Sequence, residues 1–395
     1  MRLAFCFLLL TCCSSCWILR AYKVRKFQLT DHERMPFVTV QKSNAPSSFI
    51  DATTAIEYGA LKTFVDANLS ASLTAAFLII RNDSVIYEGY FNGFKRESLL
   101  PSFSIAKSFV STLVSIALAE GRIGSLQQPV TDYLPELKKR DHRFTNITLQ
   151  HLLDMRSGLQ FKEGSYGIKD AAIKLGFRPN LLKHSLKVKI KTEPGKAFEY
   201  QSINTQLLAI VVERATGKKI SAYLQEKLWQ PLGAEHNATW NVDSKKHQQE
   251  IAFAGLNATA RDFAKLGQLY LHKGVWNGQQ LLQPSWVRTV NNADSMNKAR
   301  GYKNQFWSNL AYRYFADSLA AAEYVKAQKF STGVKKVSGK YRVGKRTAAF
   351  HAEGILNQYI YINPDKNLVI VRLGRHWYHP NKYPAQFIYE LGEEL

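Results

Sequence analysis

Ser104-Ile105-Ala106-Lys107-Ser108-Phe109-Val110-Ser111-Thr112-Leu113-Val114-Ser115-Ile116-Ala117-Leu118-Ala119-Glu120-Gly121 is the most regular stretch of this chain. Ile105, Phe109, Leu113, Ile116 and Ala117 recur at helical spacing, and Gly121 stands where a helix ends on a left-handed residue. The spacing predicts a buried helix from Ser104 to Glu120, with Ser102 as its N-cap. Ser104 and Lys107 are three apart and so share a face of that helix. A serine hydroxyl is a weak nucleophile and needs a base beside it. A lysine serves once burial or nearby cations lower its pKa. The unpaired N–H groups of a first helical turn favour a developing oxyanion. Alone, Ser-x-x-Lys is a common spacing, and an exposed lysine on an ordinary first turn is its usual meaning.

On the N-terminal side, a helix is expected from Thr54 to Asn68. A hairpin follows, Ala75–Ile80 and Val85–Tyr90 around Arg81-Asn82-Asp83-Ser84. On the C-terminal side, helices are expected at Thr148–Met155, Ile203–Thr216 and Ala260–Lys273. A second hairpin then pairs Tyr359–Ile362 with Leu368–Leu373, and a helix at Pro384–Glu394 closes the chain. Strands at both ends with helices between predict an α+β fold, or α/β sandwich. Its antiparallel sheet is assembled from N- and C-terminal strands, with flanking helices and a helical region inserted between them.

The chain has 395 residues, 46% of them hydrophobic, enough for a sizeable core. Its four cysteines, Cys6, Cys12, Cys13 and Cys16, all lie in the first sixteen residues, so the body of the fold uses no disulfide, thiolate metal site or cysteine nucleophile. Leu3–Leu19 is uncharged and mostly apolar, preceded by Arg2 and followed by Arg20, Lys23, Arg25 and Lys26. Residues 1–26 are therefore read as a signal or membrane-anchor segment with a basic flank. Leu10-Thr11-Cys12-Cys13 is a poor version of a bacterial lipoprotein box. The trailing cations favour a cytoplasmic side if the segment spans. An exported, periplasmic or membrane-anchored body is the preferred reading. Residues 27–50 read as a linker, and 51–395 as the catalytic domain. The net charge is +22, from 53 Lys+Arg against 31 Asp+Glu. Lys326–Arg346 supplies much of it, holding eight cations and no acid. It is expected to form a loop or irregular hairpin that can meet an anionic membrane surface or an acidic polymer. No nucleic-acid-binding signature accompanies the charge.

The Ser104-Ile105-Ala106-Lys107 element opening a buried helix resembles the penicillin-recognising serine hydrolases, which include beta-lactamases, D-Ala-D-Ala peptidases and related esterases. Their second element carries a tyrosine, as Tyr-x-Asn. Here Pro194-Gly195-Lys196-Ala197-Phe198-Glu199-Tyr200-Gln201-Ser202-Ile203-Asn204 fits that setting, with Ser202 where many members have Asn and Asn204 two residues later. The pattern is closest in look to 6-aminohexanoate-dimer hydrolases and class C beta-lactamase-like esterases. His151–Leu159, Ala258–Gly267 and Gly301-Tyr302 with Phe306-Trp307 resemble further segments of that branch, read as structural. The resemblance covers about residues 50–390. It implies Ser104, Lys107 and Tyr200 as catalytic residues and no metal or cofactor. Ser202, Asn204, His351, Glu353 and Gly354 are the residues expected at the substrate site, with Glu353 either a polar contact there or directed away on its strand.

The family's third element is Lys-Thr-Gly on a strand. Ser331-Thr332-Gly333 is nearer in letters, but His351-Ala352-Glu353-Gly354 leads into the final hairpin, and strand order selects it. The resemblance then places the oxyanion donors on the backbone N–H groups of Ser104 and Ile355. Ala352 cannot replace the lysine that holds a substrate carboxylate, and the class A base motif Glu-x-x-Leu-Asn is absent. Ester or amide hydrolysis of a small molecule is therefore favoured over beta-lactamase or D-Ala-D-Ala carboxypeptidase action. A non-catalytic binding protein on the same scaffold is the rival outside enzymology. His376 and His379 lack a carboxylate at metal-ligand spacing, and His151 and His272 read as structural.

Overall fold

The computed structural model describes residues 17–22, 27–69, 72–165, 167, 169–290, 301–327, 331–375 and 384–395. The four cysteines, most of the N-terminal apolar segment and His376–His379 lie outside them. The chain divides into two compact units. One comprises Ser47–Ser98 with Thr259–Leu395, the other Met1–Pro46 with Leu99–Ala258.

The first unit is built on one large sheet. Its order is Tyr302–Lys303, Phe306–Phe315, Lys340–Gly354, Gln358–Asn363, Leu368–Gly374, Thr74–Arg81, Ser84–Tyr90 and Ile50–Asp51. Every pairing along it is antiparallel except the last. N-terminal and C-terminal strands thus meet at the centre, as the two hairpins predicted. Helices cover both faces, so the central strands are apolar throughout instead of alternating. Phe77, Ile79, Tyr361 and Ile370 pack with Val65 and Leu69 of the Gly59–Leu69 helix and with Phe387, Ile388 and Leu391 of the Pro384–Glu394 helix. On the opposite face the Ala260–Leu271 helix comes in at Gly267, where an added Cβ would meet Val369 at 2.7 Å and Ile360 at 3.1 Å. Only a glycine allows that approach.

The basic stretch resolves into the hairpin alternative. Lys335–Val337 pairs with Lys340–Gly354, turning at Ser338-Gly339, both with positive φ. The long strand forms because Arg342, Gly344 and Arg346 pair with Phe306–Phe315, an element remote from them in sequence.

In the other unit, a four-stranded sheet has the order Phe37–Val40, Ala238–Asn241, Leu256–Ala258 and Leu100–Pro101. Residues 37–40 were read as linker. They form a strand because Ala238–Asn241, about two hundred residues on, supplies the ladder that four residues cannot supply themselves. Trp17–Tyr22, which includes the end of the apolar N-terminal segment, is a short helix beside Ala171–Phe177. Ala21 and Phe177 are buried together there, and Arg20 donates to the Phe177 carbonyl at 3.2 Å. No helix of the described residues is long and apolar enough to cross a membrane. Two fifteen-residue helices, Ile105–Ala119 and Ser202–Thr216, pack together at the centre of this unit. Phe109, Leu113, Leu208 and Val211 are wholly buried, so Leu113→Ala would cost about 2–5 kcal/mol.

Candidate active site

Ser102 is not the N-cap. Its carbonyl accepts the Ile105 N–H at 3.1 Å, its own N–H is held by the Leu256 carbonyl at 2.9 Å, and Ser104 takes the cap position. The helix thus starts one turn from a strand edge. Phe103, between them, has φ of +44°, a conformation disfavoured for an aromatic residue. Strained backbone of this kind collects at functional sites. Here it delivers Ser104 onto the helix end with its side chain free of capping duty. The Ser104 hydroxyl instead lies 2.8 Å from Lys107 Nζ. Its backbone N–H has no acceptor among the described residues.

Lys107 is 1% exposed. Its ammonium has two oxygen partners, Ser104 Oγ and the Phe253 carbonyl at 3.0 Å, and lies 5.1 Å from the Tyr200 ring centroid. Burial disfavours the charged form and pulls the lysine down to about 8, with the negative charge of Glu163 opposing. A lysine near 8 is about one-tenth neutral at pH 7, far more than an unshifted lysine, and the neutral form is what a base requires.

Tyr200 is placed by the segment read as a helix-to-loop signature. The capping box of Thr148 and His151 starts the Leu149–Leu153 helix, which confirms the structural reading of His151. The chain then passes through Met155 and Gly158, both with positive φ. A side chain at Gly158 would collide with the Thr192 carbonyl. Arg156 and Gly195 exchange two hydrogen bonds, at 2.7 and 2.8 Å, which fix the Pro194-Gly195 turn. The Glu199 N–H donates to the Met155 carbonyl at 2.9 Å, and Gln201 Nε2 to that of Leu159 at 2.9 Å. Tyr200 is clamped on both sides.

Two expected substrate contacts are spent inside this scaffold. Asn204 is fully buried, its amide taken by Ser157 Oγ at 2.5 Å and Met155 Sδ at 3.3 Å. The Ser202 N–H and hydroxyl both donate to Glu163, at 2.6 and 3.1 Å. Glu163 is the site residue that sequence reading missed. Burial holds its carboxyl above the usual carboxylate range, against the pull of Lys107 and the Ser202 bonds. No spacing rule links it to Ser104 or Tyr200. Its only sequence signal was a lone acid in the loop after the Ser157-Gly158 turn.

In the sheet unit, His351-Ala352-Glu353-Gly354 ends the Lys340–Gly354 strand, beside the final hairpin. His351 does not present a surface to a ligand. It is fully buried, 3.1 Å from Tyr389 Oη, on the face covered by Pro384–Glu394. Glu353, two residues on, points to that same face and accepts from Tyr359 Oη at 3.1 Å. The expectation of a substrate contact at His351 is therefore corrected, and of the two directions open to Glu353 the strand takes the one away from the face of Ala352 and Gly354. Ile355 opens the turn that follows, and its N–H has no acceptor among the described residues. That turn is rigid. Leu356 and Asn357 both have positive φ, and the buried Arg372 guanidinium donates to their carbonyls at 3.1 and 2.6 Å. Ser331-Thr332-Gly333 instead bridges to Gly344 and Lys345. The Ala258–Gly267 segment proves structural: Thr259 caps its helix, and Arg261 is buried in a two-bond pair with Glu88.

The family model described as Beta-lactamase matches residues 63–392, and the chain belongs to that family. The 6-aminohexanoate-dimer hydrolase of Paenarthrobacter ureafaciens is 31% identical over 238 residues, 57% of this chain and 59% of its own length. Esterase EstB of Burkholderia gladioli is 30% identical over 153 residues, 35% of this chain and 38% of that protein. The chain thus matches less than two thirds of the length of either relative. Among solved structures, a Bacillus anthracis protein assigned as a 6-aminohexanoate-dimer hydrolase superposes with a TM-score of 0.66 at 26% identity, covering 86% of this chain and 85% of that one. A class C beta-lactamase superposes with a TM-score of 0.58 at 17% identity, covering 87% and 98%. The α+β fold is therefore that of beta-lactamases and transpeptidases, and the chain's relatives include a 6-aminohexanoate-dimer hydrolase and an esterase.

Proposed function

We propose that this protein is a serine hydrolase that cleaves a small ester or linear amide through an acyl-enzyme on Ser104. The observation that carries this reading is the 2.8 Å contact between Ser104 Oγ and a buried lysine lowered to about 8. Neutral Lys107 accepts the Ser104 proton as Oγ attacks the carbonyl carbon. The N–H of Ser104, which has no acceptor among the described residues, stabilises the oxyanion. Tyr200, beside Lys107, passes a proton to the leaving alcohol or amine as the acyl bond breaks. Water then attacks the ester of Ser104, with Tyr200 or Lys107 taking its proton, and Ser104 leaves reprotonated. Glu163 supplies the negative charge that keeps Lys107 from falling further. No step requires a metal or organic cofactor.

The substrate side of the proposal rests on Ala352. It stands where a carboxylate-holding lysine is expected, and it is buried. The relatives named as a 6-aminohexanoate-dimer hydrolase and an esterase support this choice. The test is a panel of a short-chain p-nitrophenyl ester, a linear amide and penicillin. Ester or amide turnover lost in Ser104→Ala is expected. A long-lived penicilloyl adduct without ester or amide turnover would replace this reading with a penicillin-binding one. Fluorophosphonate labelling no stronger than in Ser104→Ala would favour a non-catalytic binding protein.

A further inference from the structure

The Lys340–Gly354 strand pairs with Gln358–Asn363 only through residues 350–354. Its first half runs on past that neighbour, held by Phe306–Phe315 on one edge and Lys335–Val337 on the other. The result is a three-stranded ribbon extending beyond the central sheet pairing. One face of the ribbon meets the Ser318–Ala327 helix, where Tyr324 lies against Phe315 and Arg313. Strand alternation puts Tyr312, Tyr314, Arg342, Lys340 and Lys335 on the other face: Tyr314 is opposite Arg342, and Arg342 is opposite Lys335. Tyr312 and Tyr314 are 41% and 44% exposed, and Lys335 and Lys340 are exposed. No acid occurs between Glu323 and Glu353. Natural sheets spend exposed tyrosines and unpaired cations sparingly, and a face carrying both without a compensating carboxylate marks an interaction site.

We propose that this ribbon face docks the protein on an anionic phospholipid surface. Tyrosine sits well at a bilayer boundary because its ring is apolar and its hydroxyl is wet. Arg342 lies over the Tyr312 ring at 4.4 Å. That stacking covers the ring face and leaves the guanidinium edge to donate to phosphate. A covered ring is a poor platform for a nucleic-acid base, which favours lipid headgroups over a nucleic-acid strand. The net charge of +22 draws the whole chain toward an anionic surface. The apolar Leu3–Leu19 stretch of the sequence is a second membrane-directed element, and stable attachment commonly needs two. The proposal is independent of the catalytic reading.

The test is sedimentation of the full chain with vesicles of phosphatidylcholine alone and with about 30% phosphatidylglycerol. The triple variant Lys335→Gln/Lys340→Gln/Arg342→Gln should bind the anionic vesicles about tenfold more weakly or worse. Binding of the unaltered chain should fall with added salt. The triple variant's ester turnover and melting midpoint should match the parent's, and any binding through the apolar segment should appear equally on phosphatidylcholine. Tyr312→Ser/Tyr314→Ser is the second variant and should weaken anionic-vesicle binding without changing the net charge. Undiminished binding by both variants overturns the proposal. So does binding of double-stranded DNA or a polyphosphate as tight as vesicle binding at equal phosphate concentration.

Discussion

Two helices in this chain begin with the same chemistry and use it differently. Ser104 and Thr259 are both hydroxyl residues at an N-cap, and each helix carries a buried lysine in its first two turns. The Thr259 hydroxyl accepts the Asp262 N–H at 3.2 Å and donates to the Asp262 carboxylate at 2.9 Å. Lys265 sits 3.4 Å from the same carboxylate and donates to the Ser47 carbonyl at 2.7 Å. Everything there is closed and paired. The Ser104 hydroxyl caps nothing, and Lys107 has a carbonyl and that hydroxyl where Lys265 has a carboxylate. The pair teaches that a reactive hydroxyl is recognised by what it fails to do for the fold.

Removing each hydroxyl breaks the comparison most sharply. Ser104→Ala should reduce ester or amide turnover by at least about 10³-fold with no loss of melting temperature. Thr259→Ala should keep the turnover and lose about 1 kcal/mol of stability in denaturant titration. Tyr200→Phe should lower kcat by about 10²–10⁴-fold while folding normally, since it removes a proton-transfer group and leaves the ring.

The lysines give the next contrast. Lys265→Met strands a buried Asp262 carboxylate and should cost about 3–5 kcal/mol. Lys107→Met should be inactive yet within about 1 kcal/mol of the parent, because it relieves an ammonium that burial already disfavours. The pH dependence of that difference follows from the direction of the shift. Lys107 is lowered from 10.5 to about 8 on folding, so between those values the unfolded chain holds more protons. Stability of the parent relative to Lys107→Met should therefore rise as pH increases through that window.

The smallest effect sharpens the role of Glu163. The kcat/KM of the parent should climb with pH through an apparent value near 8, as Lys107 becomes neutral. Glu163→Gln keeps an acceptor for Ser202 but removes the negative charge, so the climb should move to lower pH. A profile that stays in place would assign Glu163 to scaffolding alone. Asp170, whose charge also acts on Glu163, is the control position.

The parts legible in sequence were those with local or repeated patterns. The Ser104 helix had its own period, the two hairpins their own turns, and Tyr200 a proline-glycine turn ahead of it. What escaped depended on partners far along the chain. The strand at 37–40 needs Ala238–Asn241, the basic ribbon needs Phe306–Phe315, and Glu163 matters only because Ser202 and Lys107 surround it. His351 was misplaced, and the direction of Glu353 left open, for a different reason. The motif put the right strand in view, but only the packing of Tyr389 and Tyr359 reveals which way its alternate side chains point.

The central claim is that Ser104 is the residue left free to react. Mass spectrometry of the protein stopped during turnover of a slow ester tests it most directly. The account predicts one acyl group, on the peptide containing Ser104, absent from Ser104→Ala and lost on further incubation. Turnover with an acyl group on another residue, or turnover that survives in Ser104→Ala, would contradict it.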